Sequence, residues 1–186
     1  MVAAGADILG IKVPETDPVF LAVLAIHVLA ALLCVVSGAV AALSAKGSGR
    51  HIRSGRVYYW SLGIVFVTAT TMAAMRWAED YHLFVIGSIA IAAGSVGYLH
   101  RRLRRPGDAV HITGMGGSYI ALLTAFYVDN GKNLPLWSHL PHIAYWVLPS
   151  LIGLPLLARA VRRAHAPTGA HGATPTAPST AQHDAA

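Results

Sequence analysis

Apolar residues run along this chain in five long blocks, at about residues 19–45, 57–77, 83–100, 109–128 and 143–161. Each block is close to the ~20 residues that a helix rising 1.5 Å per residue needs to cross ~30 Å of hydrocarbon. The pattern predicts an all-α integral membrane bundle of five transmembrane helices, with neighbours antiparallel because the polar connectors are short. The third block is the shortest and holds Gly87, Gly94 and Gly97. A membrane helix tolerates these because no water competes for its backbone.

The segments outside the blocks divide the chain. Residues 1–17 set Asp7, Glu15 and Asp17 against Lys12 and read as an external leader. A secretory signal would start basic and carry an apolar core of about 7–15 residues. The run at 19–45 is far longer, so it is expected to stay as a helix. Residues 18–162 make the transmembrane domain. Residues 163–186 are rich in Ala, Pro, Thr and His, too poor in large apolar side chains to offset the entropy of ordering, and read as a disordered cytoplasmic tail. His165, His171 and His183 in that stretch are expected to be solvated.

Composition strengthens this picture. The chain is 55% hydrophobic and only 12% charged, with a mean hydropathy of +0.54; soluble chains carry roughly 25% charged residues. A formal charge of +6 could suit a nucleic-acid partner, but the basic residues flank apolar blocks and form no single patch. Membrane topology accounts for them better, and no nucleic-acid partner is expected. The lone cysteine, Cys34, lies within the first block, so no intrachain disulfide can form.

Charge also orients the chain. Lys46, Arg50, Arg53 and Arg56 follow the first block, Arg101, Arg102, Arg104 and Arg105 the third, and Arg159, Arg162 and Arg163 the fifth. Eleven of the fourteen basic residues therefore fall on one side. The positive-inside rule makes that side cytoplasmic, with the amino terminus outside and the carboxyl terminus inside, in the plasma (inner) membrane of a bacterium.

Helix rise then converts spacing into depth. His27 lies 19 residues before Lys46 and Asp129 lies 18 after His111, separations of about 28 and 27 Å. An outer group results, with His27, Arg76, Glu79, Asp80, His82, Asp129, Lys132, His139 and His142. An inner group holds His51, His100 and His111. Ionisable residues at membrane depth are costly and are functional candidates by default. His27, His82, His111 and His51 are the candidate ligands for haem or a metal, and His139 and His142 are weaker metal candidates. Arg76 is expected to form a structural ion pair with Asp129, Glu79 and Asp80 being its other possible partners.

Small residues line both central histidines: Ala30, Ala31, Cys34, Gly38 and Ala42 follow His27, and Gly114, Ser118 and Ala121 follow His111. Such a stripe permits close helix approach or a flat ligand, and a plain helix seam is the preferred reading. The Gly114–Gly117 run lacks the G-x-G-x-x-G spacing and a preceding strand, so it is not a dinucleotide loop.

His27 with its small-residue run, the segment His51-Ile52-Arg53-Ser54-Gly55-Arg56-Val57-Tyr58 entering the second helix, and His111 opening a later helix together resemble domain-of-unknown-function family 2306, a group of bacterial multi-span membrane proteins. The resemblance covers roughly residues 20–162. Ile52 stands where an arginine is expected, and Ile-Thr-Gly follows His111 in place of a basic-aromatic cluster. The resemblance implies a membrane location and no particular chemistry.

Three functions follow as expectations. The first is a non-enzymatic small-ligand, sensor or assembly protein whose loop 129–142 meets an external ligand. The second is an electron-transfer protein holding haem b or a transition metal between histidines of facing helices, His27 with His82, His139 or His142 outside, and His111 with His51 or His100 inside. The third is a proton-coupled carrier using Arg76 and Asp129. The expected partner is the lipid bilayer, with a second copy of the chain or a membrane protein also open. No catalytic residue is assigned.

Overall fold

The computed structural model describes residues 17–135 and 137–165, together with the backbone of two short strands. Those strands, β1 (Ala6–Ile8) and β2 (Ile11–Val13), pair antiparallel with Ala6 opposite Val13, so part of the leader forms a hairpin. The expected tail lies almost wholly outside the described residues.

Five helices follow: α1 (Pro18–Leu43), α2 (Gly49–Met75), α3 (Trp77–Arg102), α4 (Ala109–Asn130) and α5 (His142–His165). All five are long and apolar enough to cross a membrane. Their starts follow local chemistry. Asp17 caps α1 by accepting from the backbone N–H groups of Val19 and Phe20, with Pro18 at the first helical position, where its missing N–H costs nothing. The hydroxyl of Ser48 accepts from the His51 N–H and starts α2. The helix therefore begins eight residues ahead of the apolar block at 57–77, with Arg50, Arg53 and Arg56 on its first turns.

The second connector is shorter than the pattern predicts. A single residue, Arg76 (φ −134°, ψ 47°), separates α2 from α3. Residues 77–82 are helical despite their charge, because Glu79 and Asp80 fall in the first turn of α3, where the helix dipole favours acids. At the other end, α5 continues to His165 through Pro149 and Pro155. The prolines remove backbone donors, which a membrane helix accommodates more readily than a soluble one.

Side-chain partners give the packing. Cys34 donates to the Tyr58 carbonyl and His51 reaches Ala41, so α1 and α2 run antiparallel. The stacked rings of Tyr59 and Tyr98, with the close approach of Gly94 to Leu62, set α3 antiparallel to α2. Gly97 and Gly114 bring α3 and α4 into backbone contact: a Cβ on Gly114 would lie 2.6 Å from the Gly97 nitrogen. Gly116 meets Leu157 and Gly153 meets Ile120, which lays α5 against the outer face of α4. The core of the four-helix part is built from Ala30, Cys34, Tyr58, Leu62, Val65, Ala90 and Leu122.

Both small-residue stripes are helix seams. Gly38 receives the ring of Tyr119, whose hydroxyl donates to the Val35 carbonyl, and Ser118 is fully buried against Tyr58. The outward faces are apolar: Leu29 is 69% exposed, Leu43 88% and Leu156 64%. Such surfaces would drive a water-soluble protein to aggregate, whereas hydrocarbon is their natural solvent. In hydrocarbon the hydrophobic effect between helices would contribute little, leaving close packing and interhelical hydrogen bonds of roughly 0.6–1.7 kcal/mol each to hold the bundle.

Candidate functional site

The helix ends divide the polar residues into two groups. At the arginine-rich end, His51 stands on the first turn of α2 and His111 on the first turn of α4. These two helices run parallel across the bundle. The buried hydroxyl of Tyr58 donates to Ser118, which in turn donates to the Met115 carbonyl. Tyr58 and Ser118 each lie seven residues along from the two histidines, two helical turns or about 10 Å. A single register therefore places both pairs between α2 and α4.

The two imidazoles lie with ring centroids 6.1 Å apart and planes at 78°. The His51 Nδ1 lies 2.9 Å from the carbonyl oxygen of Ala41, and the His111 Nδ1 lies 3.0 Å from that of Gly97. A carbonyl only accepts, so each Nδ1 carries the proton and donates it. Ala41 is in the last turn of α1, where carbonyls lack helical partners, and His51 supplies one. Gly97 can be reached because the glycine crossing holds α3 tightly against α4. Among the described residues neither Nε2 makes a hydrogen bond within the protein.

Metal-bound histidines commonly donate one ring nitrogen to a carbonyl and ligate through the other, and both histidines here have the first half of that arrangement, with Nδ1 on a backbone carbonyl. The two rings meet edge-on. Beside the pair, half-buried Gly55 has nothing within 4 Å of the place its Cβ would take, which leaves room one turn along α2. His100, the other inner candidate, faces the 103–108 connector instead, with Nε2 3.0 Å from the Gly107 carbonyl. Arg101 pairs with Asp108 at 2.7 Å.

No family model, curated protein or solved structure matches the chain.

At the acidic end the candidates are dispersed. The His27 Nδ1 lies 2.9 Å from the Thr68 hydroxyl, which spends its own proton on the carbonyls of Ile64 and Val65, so His27 is the donor. The ring of His82 packs 6.2 Å from Trp146. Asp129 itself is exposed and accepts from the Asn130 amide. Arg76 is paired with Glu79, and among the described residues no Arg76–Asp129 ion pair forms. Adjacency on one helix end explains this: Glu79 lies three residues on, within reach along the α3 axis.

His139 is exposed, and His142 packs its ring against Tyr145. Among the described residues no three His, Cys, Asp or Glu side chains converge as a metal-binding set. The loop expected to meet an external ligand is tied down. The Tyr145 hydroxyl donates to the Trp137 carbonyl, the ring of Tyr127 lies 4.4 Å from that of Trp137, and Gly131 gives Tyr145 its space. His165, expected in the tail, closes the last turn of α5 on the Val161 carbonyl. Sequence reasoning named the inner histidines but missed the groups that aim them, Ala41, Gly97, Tyr58 and Ser118.

Proposed function

We propose that this chain is a non-enzymatic membrane electron carrier that holds a redox cofactor, haem b or a transition metal, between His51 and His111. It would cross the plasma membrane five times with the arginine-rich end in the cytoplasm. The observation that carries the reading is the pair of imidazoles brought within 6.1 Å of one another, each with Nδ1 donating to a backbone carbonyl. Membership of domain-of-unknown-function family 2306 belongs to the same proposal, supported by His27, the 51–58 motif and His111.

The chain's own residues would do three things. His51 and His111 would hold the group through ring nitrogens, the carbonyls of Ala41 and Gly97 would fix the tautomer, and the Tyr58–Ser118 bond would hold α2 and α4 at their spacing. The cofactor supplies the one-electron chemistry.

The test is to purify the full chain from membranes and record oxidised and reduced absorption spectra with metal analysis. A Soret band or one metal per chain, lost in His51→Ala, is expected; neither band nor metal would remove the reading. The topology has its own check. Cys34 is fully buried, so it gives little background when single cysteines are placed at Ser48 and Lys132. An impermeant thiol reagent is expected to label position 132 from outside and position 48 only after lysis. Labelling of both from one side would contradict the five-span orientation.

A further inference from the structure

We propose that the connector after α3 seats the headgroup of an anionic phospholipid, with Arg104 at its centre and Arg102 and Arg105 beside it. This goes beyond the cofactor reading and rests only on the arginine-rich end lying at a membrane surface.

The backbone gives the first observation. Helix α3 closes in a Schellman motif: the Arg105 N–H donates to the His100 carbonyl at 3.1 Å, and the Arg104 N–H to the Arg101 carbonyl at 3.0 Å. The residue at the turn of such a motif is left-handed, and glycine is the common choice there. Here it is Arg104, at φ 54°, the one non-glycine residue with positive φ among the described residues. A Cβ in that conformation crowds the following carbonyl, so the arginine holds its place at a cost in stability. Gly107, three residues on, takes φ 84° freely.

Neither common reason for basic residues accounts for position 104. The positive-inside rule counts charge in a connector wherever it stands. The helix dipole favours cations in the last turn, which holds Arg101 and Arg102, and fades beyond it. A side chain kept where the backbone is strained points to a use for that side chain.

The second observation is that the connector is fixed while its guanidinium groups are available. The His100 Nε2 lies 3.2 Å from the Pro106 carbonyl and 3.0 Å from that of Gly107, which folds the connector back over the end of α3. Arg101 is paired with Asp108. Arg102, Arg104 and Arg105 are exposed, and among the described residues none of them joins an ion pair. Guanidinium presents paired donors that match two phosphate oxygens. At the end of a spanning helix pair the nearest phosphates are lipid headgroups, and a cytoplasmic leaflet supplies anionic ones.

The experiment melts the purified full chain in neutral detergent, alone and with rising phosphatidylglycerol, phosphatidylcholine or inorganic phosphate. Phosphatidylglycerol is expected to raise the melting temperature of the wild type, and the other two to leave it unchanged. Arg104→Gly relieves the left-handed backbone and should melt about 2–4 °C higher than the wild type without lipid. It should nonetheless need about fivefold more phosphatidylglycerol for half the lipid effect. Arg53→Gln removes one exposed charge from the same end and is expected to shift that concentration less than about twofold, since it lies outside the seat. Four results would each overturn the inference: no effect of phosphatidylglycerol on the wild type, equal stabilisation by inorganic phosphate, equal losses in Arg104→Gly and Arg53→Gln, or no rise in melting temperature for Arg104→Gly. The cofactor and the orientation are read separately, by absorption spectra and cysteine labelling, so any of these results would leave them standing.

Discussion

The two ends of this bundle carry similar side chains in different company. At the arginine-rich end, His51 and His111 hang from parallel helices in one register, and their rings meet at 6.1 Å. At the acidic end, His27 and His82 have separate partners, His27 the Thr68 hydroxyl and His82 the ring of Trp146. Both ends hold imidazoles on helices long and apolar enough to cross a membrane, where such groups would be costly unless used or paired. What separates them is whether two rings are brought together. Parallel α2 and α4 do this, since heptad-spaced residues on two parallel helices stay opposite one another.

That contrast can be broken most sharply at the ligands. His51→Ala or His111→Ala is expected to abolish cofactor retention, whereas His82→Ala, His139→Ala and His142→Ala leave it intact, as read from absorbance per chain after purification. Next in size is Gly97→Val. Its added Cβ would lie 2.7 Å from the Met115 backbone nitrogen, so the α3–α4 crossing must open, at a cost of about 1–3 kcal/mol for overpacking. Thermal melting in detergent should fall, and cofactor should be lost with it, because the Gly97 carbonyl aims His111. An unchanged melting point would show that the glycine contact is not what fixes this end.

Smaller effects sharpen the comparison. Tyr58→Phe removes one buried interhelical hydrogen bond and is expected to cost about 0.6–1.7 kcal/mol of stability with cofactor still bound. Complete loss of the cofactor would mean that the hydroxyl does more than clamp α2 to α4. Smallest is Arg76→Gln at the acidic end. It removes an exposed i,i+3 pair with Glu79 and should change stability by less than about 1 kcal/mol. A larger loss would show the α2–α3 hinge to be held by that charge.

Much of the bundle was legible in the chain, and the reasons differ by element. Five apolar blocks of bilayer length gave the five helices, because hydrocarbon demands length and apolarity together. Boundaries were harder. Arg50, Arg53 and Arg56 look like a loop by charge, yet Ser48 starts α2 ahead of them, and Glu79 and Asp80 read as connector but suit the first turn of α3. Of the site, both histidines were named. Their partners were not, since the acceptors are the backbone carbonyls of Ala41 and Gly97, and a carbonyl has no residue-type signature. The seven-residue offsets from His51 to Tyr58 and from His111 to Ser118 were present in the sequence. They gain meaning only once α2 and α4 are known to face each other. The expected Arg76–Asp129 pair failed because a partner three residues away on the same helix end outcompetes one on another helix.

The most direct test compares reduced-minus-oxidised difference spectra of the purified His51→Ala and His27→Ala variants. The account predicts that the cofactor band disappears in the first and persists in the second. A band that survives without His51 and vanishes without His27 would place the cofactor at the acidic end and contradict it.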